Sequence, residues 1–144
     1  MQTVRQLLEQ KSGRVLITVT PESTVFQALQ VMAEHDIGAV LVMNGGEVVG
    51  IFSERDYARR IVLQGRTSAG THIRDIMTSK VVYVTPEQNS DQCMALMTEK
   101  HIRHLPVLEG KTVLGMLSIG DLVHATIQEQ EQVINQLVHY IQGA

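Results

Sequence analysis

The chain has 144 residues, 44% hydrophobic and 19% charged, which suits one compact domain or two small units sharing a core. A net charge of −3, with two Phe, three Tyr and no Trp, argues against nucleic acid as a partner, because such binding needs basic or aromatic surfaces. One cysteine and no apolar run of signal-peptide or membrane-spanning length lead us to expect a cytoplasmic protein with no internal disulfide and no membrane contact.

The first half of the chain predicts a lead-in helix (residues 1–14, around Val4–Leu8) and then a β-α-β-β-α unit (residues 15–63). A strand over Leu16–Val19 is followed by Thr20-Pro21, which we expect to end the strand and start a helix, since proline suits the first helical turn. The helix has an apolar face with spacings of three and four, made of Val25, Ala28, Leu29 and Met32.

The strands that follow predict a buried hairpin. Ala39–Met43 is a continuous apolar run, and a glycine-containing turn joins it to Val48–Phe52, a spacing typical of paired antiparallel strands. A closing helix is predicted to start near Ser53.

The same unit occurs twice. Residues 64–79 form a polar linker and a second lead-in helix around Ile73–Thr78, and residues 80–127 repeat the first unit. Shifting the chain by 65 residues aligns Val15–Ala58 with Lys80–Val123, with 14 identities in 44 pairs. One copy cannot bury both faces of its small sheet. We therefore predict an α/β (α+β) fold of two pseudo-twofold-related repeats packed sheet to sheet, with flanking terminal helices.

The last element is a long helix over Ile119–Gln142, of which residues 128–144 lie beyond the repeat. Its apolar stripe exceeds what the repeat needs, so we expect it to pack on a neighbouring subunit of a homodimer; the alternative is that it folds back on its own unit. The stripe consists of Leu122, Val123, Ile127, Ile134, Leu137, Val138 and Ile141.

Each repeat carries Gly-x-x-Ser-x-x-Asp where the hairpin meets the closing helix, as Gly50–Asp56 and Gly115–Asp121. A single copy is close to an ordinary helix N-cap. The same geometry suits a nucleotide, because a helix N-terminus attracts phosphate and an Asp one turn later can accept hydrogen bonds from a ribose diol. The duplication favours the binding interpretation.

With these motifs, the sequence resembles the tandem cystathionine-β-synthase (CBS) domain pair, or Bateman module, over nearly its whole length. The resemblance rests on the paired Thr-Pro steps, the paired Gly-x-x-Ser-x-x-Asp motifs and Ile102–Val107. Residues 53–57 and 140–143 are similar to a stand-alone subgroup with bacterial and plant mitochondrial members. The resemblance implies two ligand clefts between the repeats, a flat dimer, and a ligand such as AMP, ADP, ATP, NAD(H) or S-adenosylmethionine.

Site residues follow from the resemblance motif by motif. It implies ribose binding by Asp56 and Asp121. It implies phosphate binding near Ser53 and Ser118, with cationic candidates Arg55, Arg59, Arg74, Lys80, Arg103 and His104. It implies an adenine site framed by Thr18, Val19, Thr20, Val82, Tyr83 and Val84, walled by Ile37, Gly38, Ala39, Ile102, Leu105 and Pro106, with Met77 in reach.

Other functions are weighed against this one. The six histidines lack the spacing of a metal site, so no metal and no catalytic cofactor is predicted. No histidine linked to the Ser–Asp motifs suggests a catalytic triad, so we do not expect an enzyme. The function that the sequence predicts is a regulatory adenine-nucleotide sensor acting on an unidentified partner protein. The alternatives are an S-adenosylmethionine sensor and a ligand-free dimerisation module.

Overall fold

The computed structural model describes residues 1–11 and 16–143. The predicted boundary between residues 14 and 15 lies outside the described residues. The chain divides into two compact units. The first-repeat unit comprises the described part of Val15–Val82 together with Gly110–Val113. The second-repeat unit comprises the described parts of Met1–Arg14 and Leu114–Ala144, together with Tyr83–Glu109.

The first-repeat unit is a three-stranded sheet with helices packed on it. Strand β2 (Ala39–Asn44) lies in the centre, parallel to β1 (Thr18–Val19) and antiparallel to β3 (Glu47–Ser53). Its helices are α2 (Val25–His35), α3 (Glu54–Asp56), which continues into a π-helix at Tyr57–Val62, and α4 (Ile73–Ile76). The core takes the apolar faces of these elements, including Val25, Ala28, Val40, Val42, Phe52, Ile61 and Ile73.

The second-repeat unit repeats this plan. It contains α1 (Val4–Gln10), α5 (Ser90–Lys100), the strand β4 (His104–Glu109), the part of β5 (Thr112–Ser118) from Leu114 onward, and α6 (Ile119–Ile141). The mixed α/β class and the hairpins are as the sequence predicts.

The predicted opening strand of the second repeat, Val81–Val84, is reduced to one parallel bridge between Val84 and Val107. Val84 N donates to Pro106 O (3.0 Å) and Leu108 N donates to Val84 O (2.9 Å). A longer ladder would need an N–H at position 106, and proline has none. The aligned residue of the first repeat is Leu41, and there β1 forms a regular strand pair.

The prediction that helices start at the Thr-Pro steps is wrong. Helix α2 begins at Val25 with Thr24 as its N-cap, and α5 begins at Ser90 with Asn89 as its N-cap. Each cap forms a reciprocal capping box with a glutamine three residues later. The two side chains accept hydrogen bonds from two backbone N–H groups at the helix start, which a proline at the first helical position would leave without partners.

The turns at the Thr-Pro steps bind the lead-in helices instead. In the second-repeat unit, Arg5 N of α1 donates to Pro86 O (3.0 Å); in the first-repeat unit, Arg74 N of α4 donates to Pro21 O (3.1 Å). Each lead-in helix therefore belongs to the unit of the repeat that it does not precede along the chain.

An ion pair accompanies each of these helix–turn contacts. The Arg5 guanidinium contacts Glu87 (3.2 Å) and Glu109 (2.9 Å), and Arg74 pairs with Glu22. Hydrogen bonds from the arginine lower the pKa of Glu22 and raise that of Arg74. These pairs are exposed, so they contribute little stability and act mainly to orient the helices.

Helix α6 extends well past its own unit. Leu122 and Ala125 are buried against the second-repeat unit, whereas every residue from 131 to 143 is exposed. Among the described residues, no helix is long and apolar enough to cross a membrane.

Candidate functional site

The candidate site of the first-repeat unit is the corner where β3 ends and α3 begins. Ser53 is the N-cap, with φ −125° and ψ 165°. Asp56 Oδ2 accepts hydrogen bonds from Ser53 N (2.9 Å) and Ser53 Oγ (3.0 Å), and Asp56 N donates back to Ser53 Oγ (3.2 Å). The Ser–Asp motif is therefore a capping box, the local role that the sequence also allowed.

The corner of the second-repeat unit has the same geometry at the start of α6. Ser118 N donates to Asp121 Oδ2 at 2.7 Å, and Asp121 N donates to Ser118 Oγ at 3.2 Å. Both aspartate side chains remain partly accessible, 16% exposed for Asp56 and 25% for Asp121. The capping bonds to each carboxylate converge on Oδ2.

A wall segment joins each corner through one backbone hydrogen bond. Glu54 N donates to Gly38 O (3.1 Å), and Ile119 N donates to Arg103 O (2.9 Å). Gly38 aligns with Arg103, and Glu54 with Ile119, under the 65-residue shift. The structure thus brings the predicted walls, Ile37–Ala39 and Ile102–Pro106, against the Ser–Asp corners. In each corner this bond uses one N–H group of the helix N-terminus, where the sequence predicts phosphate binding.

The adenine-framing residues occupy the opening strand of each repeat. Thr18 and Val19 form β1 beside β2, with Thr18 and Thr20 exposed and Val19 buried. In the second-repeat unit, Val84 is buried and Tyr83 is 51% exposed. Val82 belongs to the first-repeat unit.

The predicted cations have different surroundings. Arg74, which lies on the lead-in helix α4, pairs with Glu22. The pair gives Arg74 a structural role that its sequence context did not indicate. Arg59, Lys80 and Arg103 are exposed. Arg55 lies in α3, and His104 is the half-buried first residue of β4.

Three polar residues that lie near the aspartates are not among the site residues predicted from the sequence. In the second-repeat unit, Lys11 Nζ lies 3.1 Å from Asp121 Oδ2 and donates to Met116 O at 2.8 Å. In the first-repeat unit, Thr78 Oγ1 lies 3.5 Å from Asp56 Oδ1, and Arg60 Nε lies 3.9 Å from it. Lys11 and Thr78 follow lead-in helices, so only the exchange of these helices between the repeats could reveal their contacts. Arg60 lies four residues after Asp56, a spacing that the sequence itself shows.

The glycine of each motif has a packing role. A Cβ at Gly50 would lie 2.5 Å from Met77 Sδ and 3.2 Å from Thr78 O, and a Cβ at Gly115 would lie 3.0 Å from Leu8 Cδ2. Met77, the C-cap of α4, and Leu8, in the last turn of α1, are equivalent residues. A glycine at this position therefore leaves room for the lead-in helix beside the second hairpin strand, and backbone as well as side chain lies close at Gly50.

Two further predicted features concern cysteine and metal chemistry. Cys93 is fully buried in α5, and burial raises its pKa to about 11. It is a packing residue, as its alignment with Ala28 predicts. Within residues 1–11 and 16–143, no group of three or more His, Cys, Asp or Glu side chains is arranged to hold a metal ion.

These features define a class of protein built from two βαββα units, each with a Ser–Asp corner beside a backbone wall. The family model described as "CBS domain" matches residues 12–63 and 73–127. The chain therefore belongs to the CBS-domain family and contains a tandem pair of the repeats.

Relatives support the same assignment. A solved CBS-domain protein from Burkholderia ambifaria MC40-6 is 53% identical, has a TM-score of 0.86, and the match covers 90% of this chain and 96% of that one. The mitochondrial CBS domain-containing protein CBSX3 of Arabidopsis thaliana is 44% identical over 129 residues. That match covers 86% of this chain and 63% of the relative, so this chain spans less than two thirds of it.

A distant neighbour shares the fold alone. The CBS domain pair of MJ0100, solved in complex with 5′-methylthioadenosine and S-adenosylmethionine, is 19% identical with a TM-score of 0.75. CBS pairs in general bind adenosine-containing ligands in regulatory roles, and the relatives of this chain are CBS-domain proteins of that typically non-catalytic kind.

Proposed function

We propose that this chain is a non-catalytic sensor of an adenine nucleotide, AMP, ADP, ATP or NAD(H), and that Asp56 and Asp121 bind the ribose hydroxyls. The observation that carries the proposal is the duplicated Ser–Asp corner with its wall segment in both units. Ligand binding would change the conformation or assembly of the protein, and a partner protein would respond to that change.

The capping role of the aspartates leaves room for a ribose. An ionised carboxylate has about four acceptor positions. At Asp121, Ser118 N and Lys11 Nζ use two of them, which leaves two for a diol. At Asp56, Ser53 N, Ser53 Oγ and Thr78 Oγ1 use three. The Asp121 corner is therefore proposed as the stronger site, and Lys11 supplies a positive charge beside it for phosphate.

The test is calorimetric titration with AMP, ADP, ATP, NADH and S-adenosylmethionine. We expect micromolar binding of at least one nucleotide and, since hydrogen bonds to charged groups contribute about 1.5–3 kcal/mol, weakening of about 10- to 100-fold in Asp121→Asn. Asp91→Asn, an acid in the first turn of α5, is the matched control and should bind normally. The 2′,3′-dideoxy form of the ligand should bind the wild type more weakly than the ribose form does. The Asp121→Asn substitution should weaken binding of the dideoxy form little further.

Three outcomes would count against the proposal. Equal affinity of the wild type and the Asp56→Asn/Asp121→Asn double variant would remove the ribose assignment. Failure of all five ligands at millimolar concentration would favour the alternative of a structural dimerisation module. Preference for S-adenosylmethionine over nucleotides would favour the other alternative, for which the ligands of the MJ0100 pair are the precedent.

Self-association, a regulated partner protein and a cytoplasmic location complete the proposal. A buried, unpaired cysteine suits a reducing compartment. Because the Arabidopsis relative is mitochondrial by name, cell fractionation has to test the location directly.

A further inference from the structure

The exposed part of α6 carries an apolar seam with a seven-residue period. Its members are spaced alternately four and three residues apart, the a and d positions of a heptad. The seam consists of Val123, Ile127, Gln130, Ile134, Leu137 and Ile141. Val133, Val138 and Tyr140 flank it and widen it towards the end of the helix. These eight apolar side chains are between 45% and 83% exposed.

The second-repeat unit covers a different side of this helix. Leu122 and Ala125, which are buried against the unit, lie roughly 100–160° around the helix axis from Val123, at 100° per residue. Past Gln130 every described residue is exposed. The seam therefore begins beside the packed face and continues along the part of α6 that extends beyond the unit.

The seam matches a second copy of itself. Isoleucine at the a positions and leucine at a d position favour a parallel, two-stranded coiled coil. Such a pair places Glu131 opposite Thr126, and Val133 opposite Val138, so no like charges meet at the flanking positions. Gln130 would face its own copy at the one polar seam position, which fixes the register.

The charge of α6 argues against a membrane surface as the occupant. The helix contains Asp121, Glu129 and Glu131, and no lysine or arginine. Helices that lie on membranes use basic residues to bind anionic lipid headgroups.

We propose that α6 pairs with α6 of a second copy as a parallel, in-register coiled coil through this seam. The proposal names the surface for the self-association included under the proposed function, and it does not depend on nucleotide binding. Since residues 131–143 lie outside the core of the unit, changes there leave its fold intact.

The first experiment measures molar mass by light scattering after size exclusion, across a dilution series up to about 100 μM. Ile134→Glu/Leu137→Glu should halve the mass and weaken self-association at least tenfold. Gln132→Glu/Gln136→Glu, with two added charges on the polar side of the same helix, should keep the wild-type mass. A seam variant with the wild-type mass, or a monomeric wild type, would overturn the proposal.

The second experiment tests direction and register. Gln130→Cys and Leu137→Cys should each form an interchain disulfide under mild oxidation, because only a parallel in-register pair brings both residues against their own copies. Gln132→Cys, on the opposite side of the helix, should not, and native Cys93 is buried. Absence of both crosslinks refutes the parallel pair.

Two controls separate this proposal from the others. The seam variant should bind nucleotide as the wild type does. That result would show that pairing of α6 and ligand binding are independent, so that failure of one test does not explain failure of the other. Flotation of a monomeric wild type with phosphatidylserine vesicles would assign the seam to a membrane and reject the coiled coil.

Discussion

Replacing Gly50 with alanine tests whether the motif glycine serves the lead-in helix. The new Cβ would lie 2.5 Å from Met77 Sδ and 3.2 Å from Thr78 O. The thioether can move, but Thr78 is fixed by two backbone hydrogen bonds with Ile51, of 3.0 and 2.9 Å. Overpacking of this kind costs about 1–3 kcal/mol, and the entropy that alanine removes from the unfolded chain returns about 0.4–1 kcal/mol.

We therefore expect Gly50→Ala to lower the free energy of unfolding by about 1–2 kcal/mol. Gly115→Ala is the matched control, because its Cβ would meet only Leu8, with Cδ2 at 3.0 Å, and a side chain can yield. Its expected change is about 0–1 kcal/mol.

Urea denaturation of both variants is the assay, combined with a double-mutant cycle through Met77→Ala. Removing the methionine side chain should relieve part of the Gly50→Ala cost, giving a coupling energy of about 1 kcal/mol. Wild-type stability of Gly50→Ala, or a coupling energy of zero, would refute the packing role of Gly50.

Three further outcomes are expected. Ser118→Ala should lower the free energy of unfolding by about 1 kcal/mol, because it removes the N-cap of α6; urea denaturation measures this, and an unchanged midpoint contradicts it. Lys11→Met should change stability by less than about 1 kcal/mol, as a partly exposed ion pair does, yet weaken calorimetric AMP binding several-fold; unaltered affinity removes Lys11 from the site. Burial raises the pKa of Cys93 from 9.0 to about 11, so its contribution to stability is full below pH 9 and is lost as the pH rises through 11. Native protein at pH 8 should hold about 100-fold less thiolate than the unfolded chain and react correspondingly slowly with a maleimide, which equal rates would disprove.

The duplicated pattern predicted most of the fold, because strand and helix periodicities are local and each copy checks the other. The helices do not start at Pro21 and Pro86, because the capping boxes Thr24–Gln27 and Asn89–Gln92 set their first turns. A capping box is a local signal, so the sequence itself can predict these starts.

The sequence predicts where the candidate site lies, but it predicts few of the contacts that its residues make. Ser53–Asp56 and Ser118–Asp121 mark the strand–helix corners from sequence alone. Two neighbours of the aspartates, Lys11 and Thr78, come from other segments of the chain, and no periodicity reports such contacts. Arg74 was assigned by charge to phosphate, whereas the structure pairs it with Glu22.

The exchange of the lead-in helices has a consequence for synthesis on the ribosome. Helix α1 leaves the exit tunnel before the first repeat, whereas β5, on which Leu8 packs, emerges only after the first hairpin, α4 and α5. Helix α1 therefore lacks its partner strand until the second repeat is translated, whereas α4 follows β3, the strand on which it packs. The second-repeat unit therefore completes its fold with helix α1, which is translated before either repeat.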